Sequence, residues 1–108
     1  DLKQSTRQRF VALEFDYPST AVEEKIVIKE TGVEQATAGQ LVKFAQMTRN
    51  LKGNGLDEGA STRLLVHAAK LIVAGISPNI ACHSSISQAL TDDPEMMQAI
   101  DEITSSVF

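Results

Sequence analysis

Residues 10–17, Phe-Val-Ala-Leu-Glu-Phe-Asp-Tyr, read as a β-strand, and no second convincing strand comes after them. Val11, Leu13, Phe15 and Tyr17 alternate with period two, β-branched and aromatic residues dominate, and Pro18 stops the run. This solitary strand constrains the fold more than any other feature of the chain. A lone strand leaves its own backbone N–H and C=O groups unpaired, and even a two-stranded hairpin is marginal in water. The strand therefore belongs to a sheet whose other strands lie outside these residues, or it pairs with another molecule. The start at Asp1, in a polar stretch and without methionine, agrees with a piece of a longer protein.

The rest of the chain reads as helices. Thr20 and Glu23 have the spacing of a capping box, which opens a helix through Glu30 that Gly32 ends. Thr37 and Gln40 suggest a second box, with Leu41, Phe44, Ala45, Thr48 and Leu51 next at helical spacing. Gly53-Asn54-Gly55 marks a turn. Ser61 suits the N-cap of a third helix with Leu64, Leu65, Ala68, Leu71 and Ile72 inward and Gly75 as its stop. Ser77-Pro78 and Asp93-Pro94 each pair a cap with a proline at the first helical position. The fourth helix should bury Cys82, Ile86, Ala89 and Leu90, and the fifth Met97, Ile100, Ile103 and Val107. The expected fold is mainly α, a small bundle of about five helices preceded by one strand.

Composition narrows the function classes. A hydrophobic content of 43% supports a core, and the low aromatic content of 5% makes that core aliphatic. A net charge of −4 argues against a general nucleic-acid binder, although Lys3, Arg7 and Arg9 form a local basic stretch against the acid Asp1. The single cysteine, Cys82, excludes an intramolecular disulfide and fits a reducing cytoplasm. No apolar run reaches the length of a membrane span.

No metal site is expected. His67 and His83 fall on different predicted helices, and Cys82 adjoins His83 on another face. Cys82 reads as a small core hydrophobe, His67 as a half-exposed helix residue. Asp92-Asp93 reads as helix capping, and Glu23-Glu24 suits a first helical turn. Neither a GxxxxGK[ST] loop nor a GxGxxG turn occurs, so these residues alone cannot cradle a nucleotide in either common way.

Two arginine sites remain. In Gly59-Ala60-Ser61-Thr62-Arg63, Arg63 falls in the first turn of the third helix, where the helix dipole disfavours a cation unless an anion such as phosphate is close. Its plain alternatives are solvent exposure or a pair with Glu58. Arg7 and Arg9, two apart just ahead of the strand, share one side of an extended chain. They are either a solvated pair or a phosphate contact, since the guanidinium fork matches phosphate oxygens.

Arginines before a lone strand, then a helical bundle whose third helix opens on an arginine, resemble the end of an AAA+ ATPase module. Gly59-Ala60-Ser61-Thr62-Arg63 resembles the GASPR sensor 2 motif of the MoxR-related branch, with Thr62 where proline is common. Thr6-Arg7-Gln8-Arg9-Phe10 resembles its arginine-finger segment. The likeness extends to the CbbQ/NorQ/NirQ group through residues 5–10, 15–18, 49–52, 58–65 and 90–94. The resemblance implies residues 1–18 as the end of the α/β core and residues 19–108 as the C-terminal helical lid. It implies Arg63 as sensor 2, reaching ATP in its own subunit. Arg9, with Arg7 as the other candidate, becomes the arginine finger toward a neighbouring subunit. ATP and magnesium are implied for the intact protein, with none held by this fragment, which should be inactive alone. The implied partners are further copies in a ring, a protein with a von Willebrand factor A-type domain, and a client enzyme, Rubisco or nitric oxide reductase. The implied role is chaperone-like activation of that client. The competing classes are a helical protein-interaction domain and a helix-turn-helix-like DNA-binding module with no link to ATP.

Overall fold

The computed structural model describes residues 17–108, and among them the architecture is helical throughout. The first sixteen residues, with Arg7, Arg9 and all but the last residue of the expected strand, lie outside that range. Helix α1 (Thr20–Thr31) leads into α2 (Gln35–Arg49), a loop, and α3 (Thr62–Val73). Helix α4 comprises Pro78–Cys82, a π-helical turn His83–Ser87, and Gln88–Leu90, and α5 (Pro94–Val107) closes the bundle. Helix α1 packs on α2 and α3, α3 packs on α4, and α5 lies against α2 and α4.

Neither expected capping box forms. The N-cap of α1 is Ser19, whose Oγ accepts from the Val22 N–H at 3.3 Å. With the cap one residue earlier than expected, Glu23 moves past the box position and becomes a fully buried residue of α1. At the other end Gly32 takes φ 78° and donates to the Ile28 carbonyl, the left-handed stop expected of it. Buried Val33 anchors the connection, and α2 begins earlier than Thr37 allows, with Glu34 in the cap position and no side-chain cap bond. Gln40, freed from capping, donates from Nε2 to the Val107 carbonyl at 3.1 Å and ties α2 to the end of α5.

The later caps agree with the sequence. Ser61, Ser77 and Asp93 each accept a first-turn N–H, from Leu64, Ile80 and Glu95. The π-helical turn in α4 alters the inward face. Cys82 and Ile86 are buried as expected, but the inserted residue rotates the remainder of the helix, so Ser87 is buried and Ala89 is exposed. The Ser87 hydroxyl is satisfied there by donating to Asp101 Oδ1 of α5 at 2.8 Å. On α5, Ile100 is fully buried, and Met96 packs on the core one position before the expected Met97.

Phe44, Leu41, Leu65, Ile86 and Ile100 are the largest apolar side chains with no exposure, and they fill the space between α2, α3, α4 and α5. Among the described residues every buried side-chain nitrogen or oxygen has a hydrogen-bond partner, and no helix is long and apolar enough to cross a membrane.

Cys82 is fully buried among these residues, and its thiol is pushed up from 9.0 to about 12, by burial first and by the charge of Asp101 second. A thiol-specific reagent at pH 8 should therefore react slowly with the folded chain and fast once denaturant unfolds it. The raised value also fixes a sign. Stability from the neutral thiol is fully present below the unfolded value of 9.0 and is lost as pH rises toward about 12. Melting temperatures measured across that window should fall more steeply for the natural chain than for Cys82→Ala.

Candidate functional site

Arg63 is the second residue of α3, after the cap Ser61 and Thr62. It is exposed and forms no ion pair among the described residues. The alternative pairing with Glu58 does not occur, because Glu58 Oε2 lies 3.6 Å from Lys52 Nζ across the turn. A cation in the first turn of a helix, without a carboxylate beside it, is suited to an anion, and its planar fork to phosphate oxygens.

Beneath this exposed arginine is a buried polar cluster. Arg49, the last residue of α2, donates from Nη1 to Glu23 Oε1 at 2.9 Å and from Nη2 to Glu23 Oε2 at 2.6 Å. The same Glu23 oxygen accepts the Thr62 hydroxyl at 2.8 Å. Arg49 Nε donates to the Ala60 carbonyl at 2.9 Å. The Ala60 N–H in turn donates to Thr48 Oγ1 at 3.0 Å, and that hydroxyl donates to the Ala45 carbonyl at 2.7 Å. The Tyr17 ring covers the guanidinium, 3.7 Å from Cζ to the ring centroid, a cation–π contact.

Gly59 completes the clamp through its size. A Cβ built on it would stand 2.5 Å from Arg49 Cα and 2.8 Å from Arg49 N, so only glycine lets the two backbones approach this closely. Thr62 occupies the first helical position, which suits proline equally well. Threonine keeps that geometry and adds a donor for the buried carboxylate.

Comparison with known proteins then decides the family. The family model described as CbbQ/NirQ/NorQ C-terminal matches residues 23–107. The chain belongs to this family. It is 52% identical to the protein CbbQ of Hydrogenophilus thermoluteolus over 108 residues, all of this chain and 40% of that protein. It is 47% identical to the denitrification regulatory protein NirQ of Stutzerimonas stutzeri over 102 residues, 94% of this chain and 37% of the relative. The protein NorQ of Paracoccus denitrificans is 43% identical over 107 residues, 99% of this chain and 40% of the relative. The chain thus spans about 40% of the length of these relatives.

Of the sequence-predicted site residues, the described structure contains Arg63, and Arg7 and Arg9 lie outside it. Among the described residues no group of His, Cys, Asp and Glu is arranged to hold a metal ion. His83 Nδ1 instead lies 2.9 Å from Asp101 Oδ2, bridging α4 to α5, and His67 is exposed rather than half-exposed. The cluster of Tyr17, Glu23, Arg49 and Thr62 was not legible in the sequence as a unit. The one signal available was the pair of conspicuous charges, Glu23 and Arg49, at apolar-face positions of their helices.

Removing one partner of a buried pair strands the other charge. Arg49→Met should lower stability by about 3–5 kcal/mol, read as a loss in the denaturation midpoint. Gly59→Ala should cost about 1–3 kcal/mol through overpacking against Arg49, with the helical signal retained below the transition.

Proposed function

We propose that the chain is the finger segment and helical lid of a ring-forming AAA+ ATPase that acts as a chaperone-like activator of a metabolic enzyme. The observation that carries this reading is Arg63, exposed in the first turn of α3 next to a buried, hydrogen-bonded cluster, in a chain of the CbbQ/NirQ/NorQ family. The donor set fits a phosphate. A guanidinium with no carboxylate partner among the described residues stands beside the N-terminal end of a helix, and both favour anion oxygens.

Bound ATP supplies the phosphoryl group whose transfer to water is the reaction. Arg63 contacts the phosphates held in its own subunit as sensor 2. Arg9, with Arg7 as the other candidate, supplies positive charge to the neighbouring subunit's nucleotide as the arginine finger. Phosphoryl transfer depends mainly on positioning and charge stabilisation, and an arginine of this kind is worth about 10³–10⁵ in rate. A lid arginine on phosphate also ties nucleotide state to the attitude of the lid, and that motion is the output delivered to the client. Among the described residues no carboxylate cluster would hold magnesium, so in the intact protein it would be held elsewhere, where its charge would offset that of the phosphates. The partners are further copies of the protein, a von Willebrand factor A-type domain protein, and a client that is Rubisco for the CbbQ type or nitric oxide reductase for the NorQ and NirQ types.

The helix-turn-helix reading has little support. The loop from Asn50 to Ser61 separates α2 from α3, far longer than the three or four residues of that motif.

In the full-length assembled protein, Arg63→Ala and Arg9→Ala should each reduce ATP turnover strongly, by about 10³-fold or more for the finger. Normal turnover in both variants refutes the assignment. Activation assays with each client enzyme discriminate between the two types.

A further inference from the structure

Segments far apart in sequence meet on one guanidinium. Arg49 gives two N–H groups to Glu23 of α1 and a third to the carbonyl of Ala60, just before α3. Tyr17, which precedes α1, covers its face. Glu23 passes the connection on by accepting the Thr62 hydroxyl at the first position of α3. The guanidinium therefore touches both the segment that enters the bundle and the segment that leads to Arg63.

Arg63 has no side-chain partner of its own among the described residues, so its location is set by the backbone that carries it. That backbone is gripped at Ala60 by Arg49 and Thr48, and at Thr62 by Glu23. The missing Cβ at Gly59 keeps the same stretch against the Arg49 main chain. A shift of the α2 end relative to Tyr17 is thereby passed to residues 59–62.

We infer that Arg49 is a positioning residue for Arg63, coupling the first turn of α3 to the chain entering the bundle at Tyr17. This inference rests on the reading of Arg63 as a phosphate contact. Lysine cannot replace Arg49 in this role, because a single ammonium cannot present a planar fork to a carboxylate and a further N–H to a carbonyl.

The test uses the full-length assembled protein in four forms: unaltered, Arg49→Lys, Arg63→Ala and the double variant. For each, kcat/KM for ATP and the melting temperature are measured. Arg49→Lys is expected to lower kcat/KM by roughly 10- to 100-fold, the scale of a small misplacement. In the Arg63→Ala background the same change should alter kcat/KM by less than about 2-fold, since nothing is left to position. Its effect on melting temperature should be the same in both backgrounds. Equal losses of kcat/KM in the two backgrounds, or no loss on Arg49→Lys, overturn the inference while leaving the reading of Arg63 intact. Normal turnover by Arg63→Ala removes that reading and the inference with it. If Arg49→Lys does not fold, Thr62→Val and Thr62→Ser decide the matter. Valine, which cannot donate to Glu23, should lower kcat/KM and serine should restore it; equal values for all three residues overturn the inference.

Discussion

The buried contact between Glu23 and Arg49 is the constraint on which the arrangement of α1, α2 and α3 depends. A charge without exposure is tolerated only when it is paired and fully hydrogen-bonded. Glu23 meets that demand with two N–H groups of one guanidinium and the hydroxyl of Thr62. Any other docking of α1 would have to supply the same carboxylate with an equivalent set of donors. The apolar contacts around Phe44 and Leu65 hold the helices together, while the ion pair selects their relative placement.

The helical content was legible because its punctuation is local. Ser61, Ser77-Pro78, Asp93-Pro94 and Gly32 each act within one turn of their own position, so neighbouring sequence is enough to read them. The two capping boxes failed for a non-local reason. Ser19 and Thr20 are both good caps on local grounds, and the choice between them falls where Glu23 reaches Arg49, a residue 26 positions away. Likewise Gln40 had a plausible local role at a helix start, but a carbonyl 67 residues distant took its amide.

The site was legible in its exposed member and illegible in its support. Arg63 stands out because a cation at a helix N-terminus contradicts the dipole rule, a conflict visible in five residues. Its mount is made of residues whose meaning lies in convergence: Tyr17 reads as the end of a strand and Glu23 as a first-turn acid, and neither local role points to Arg49. The inward face of α4 failed for another reason, since an inserted π turn at His83–Ser87 resets the period that the pattern of Cys82 and Ile86 had set.

The distances along the chain between the members of the buried cluster have a kinetic consequence. Its bonds to Glu23 join residues 26 and 39 positions apart, so these cannot form until α1, α2 and the start of α3 have come together. Contacts of that range form after the local helices, once the entropy of closing the intervening loops has been met. In a partly folded chain α3 would already be helical, yet its first turn would have no fixed bearing. A fixed bearing for the first turn of α3 is thus a late product of folding, complete only when the long-range contacts to Glu23 close.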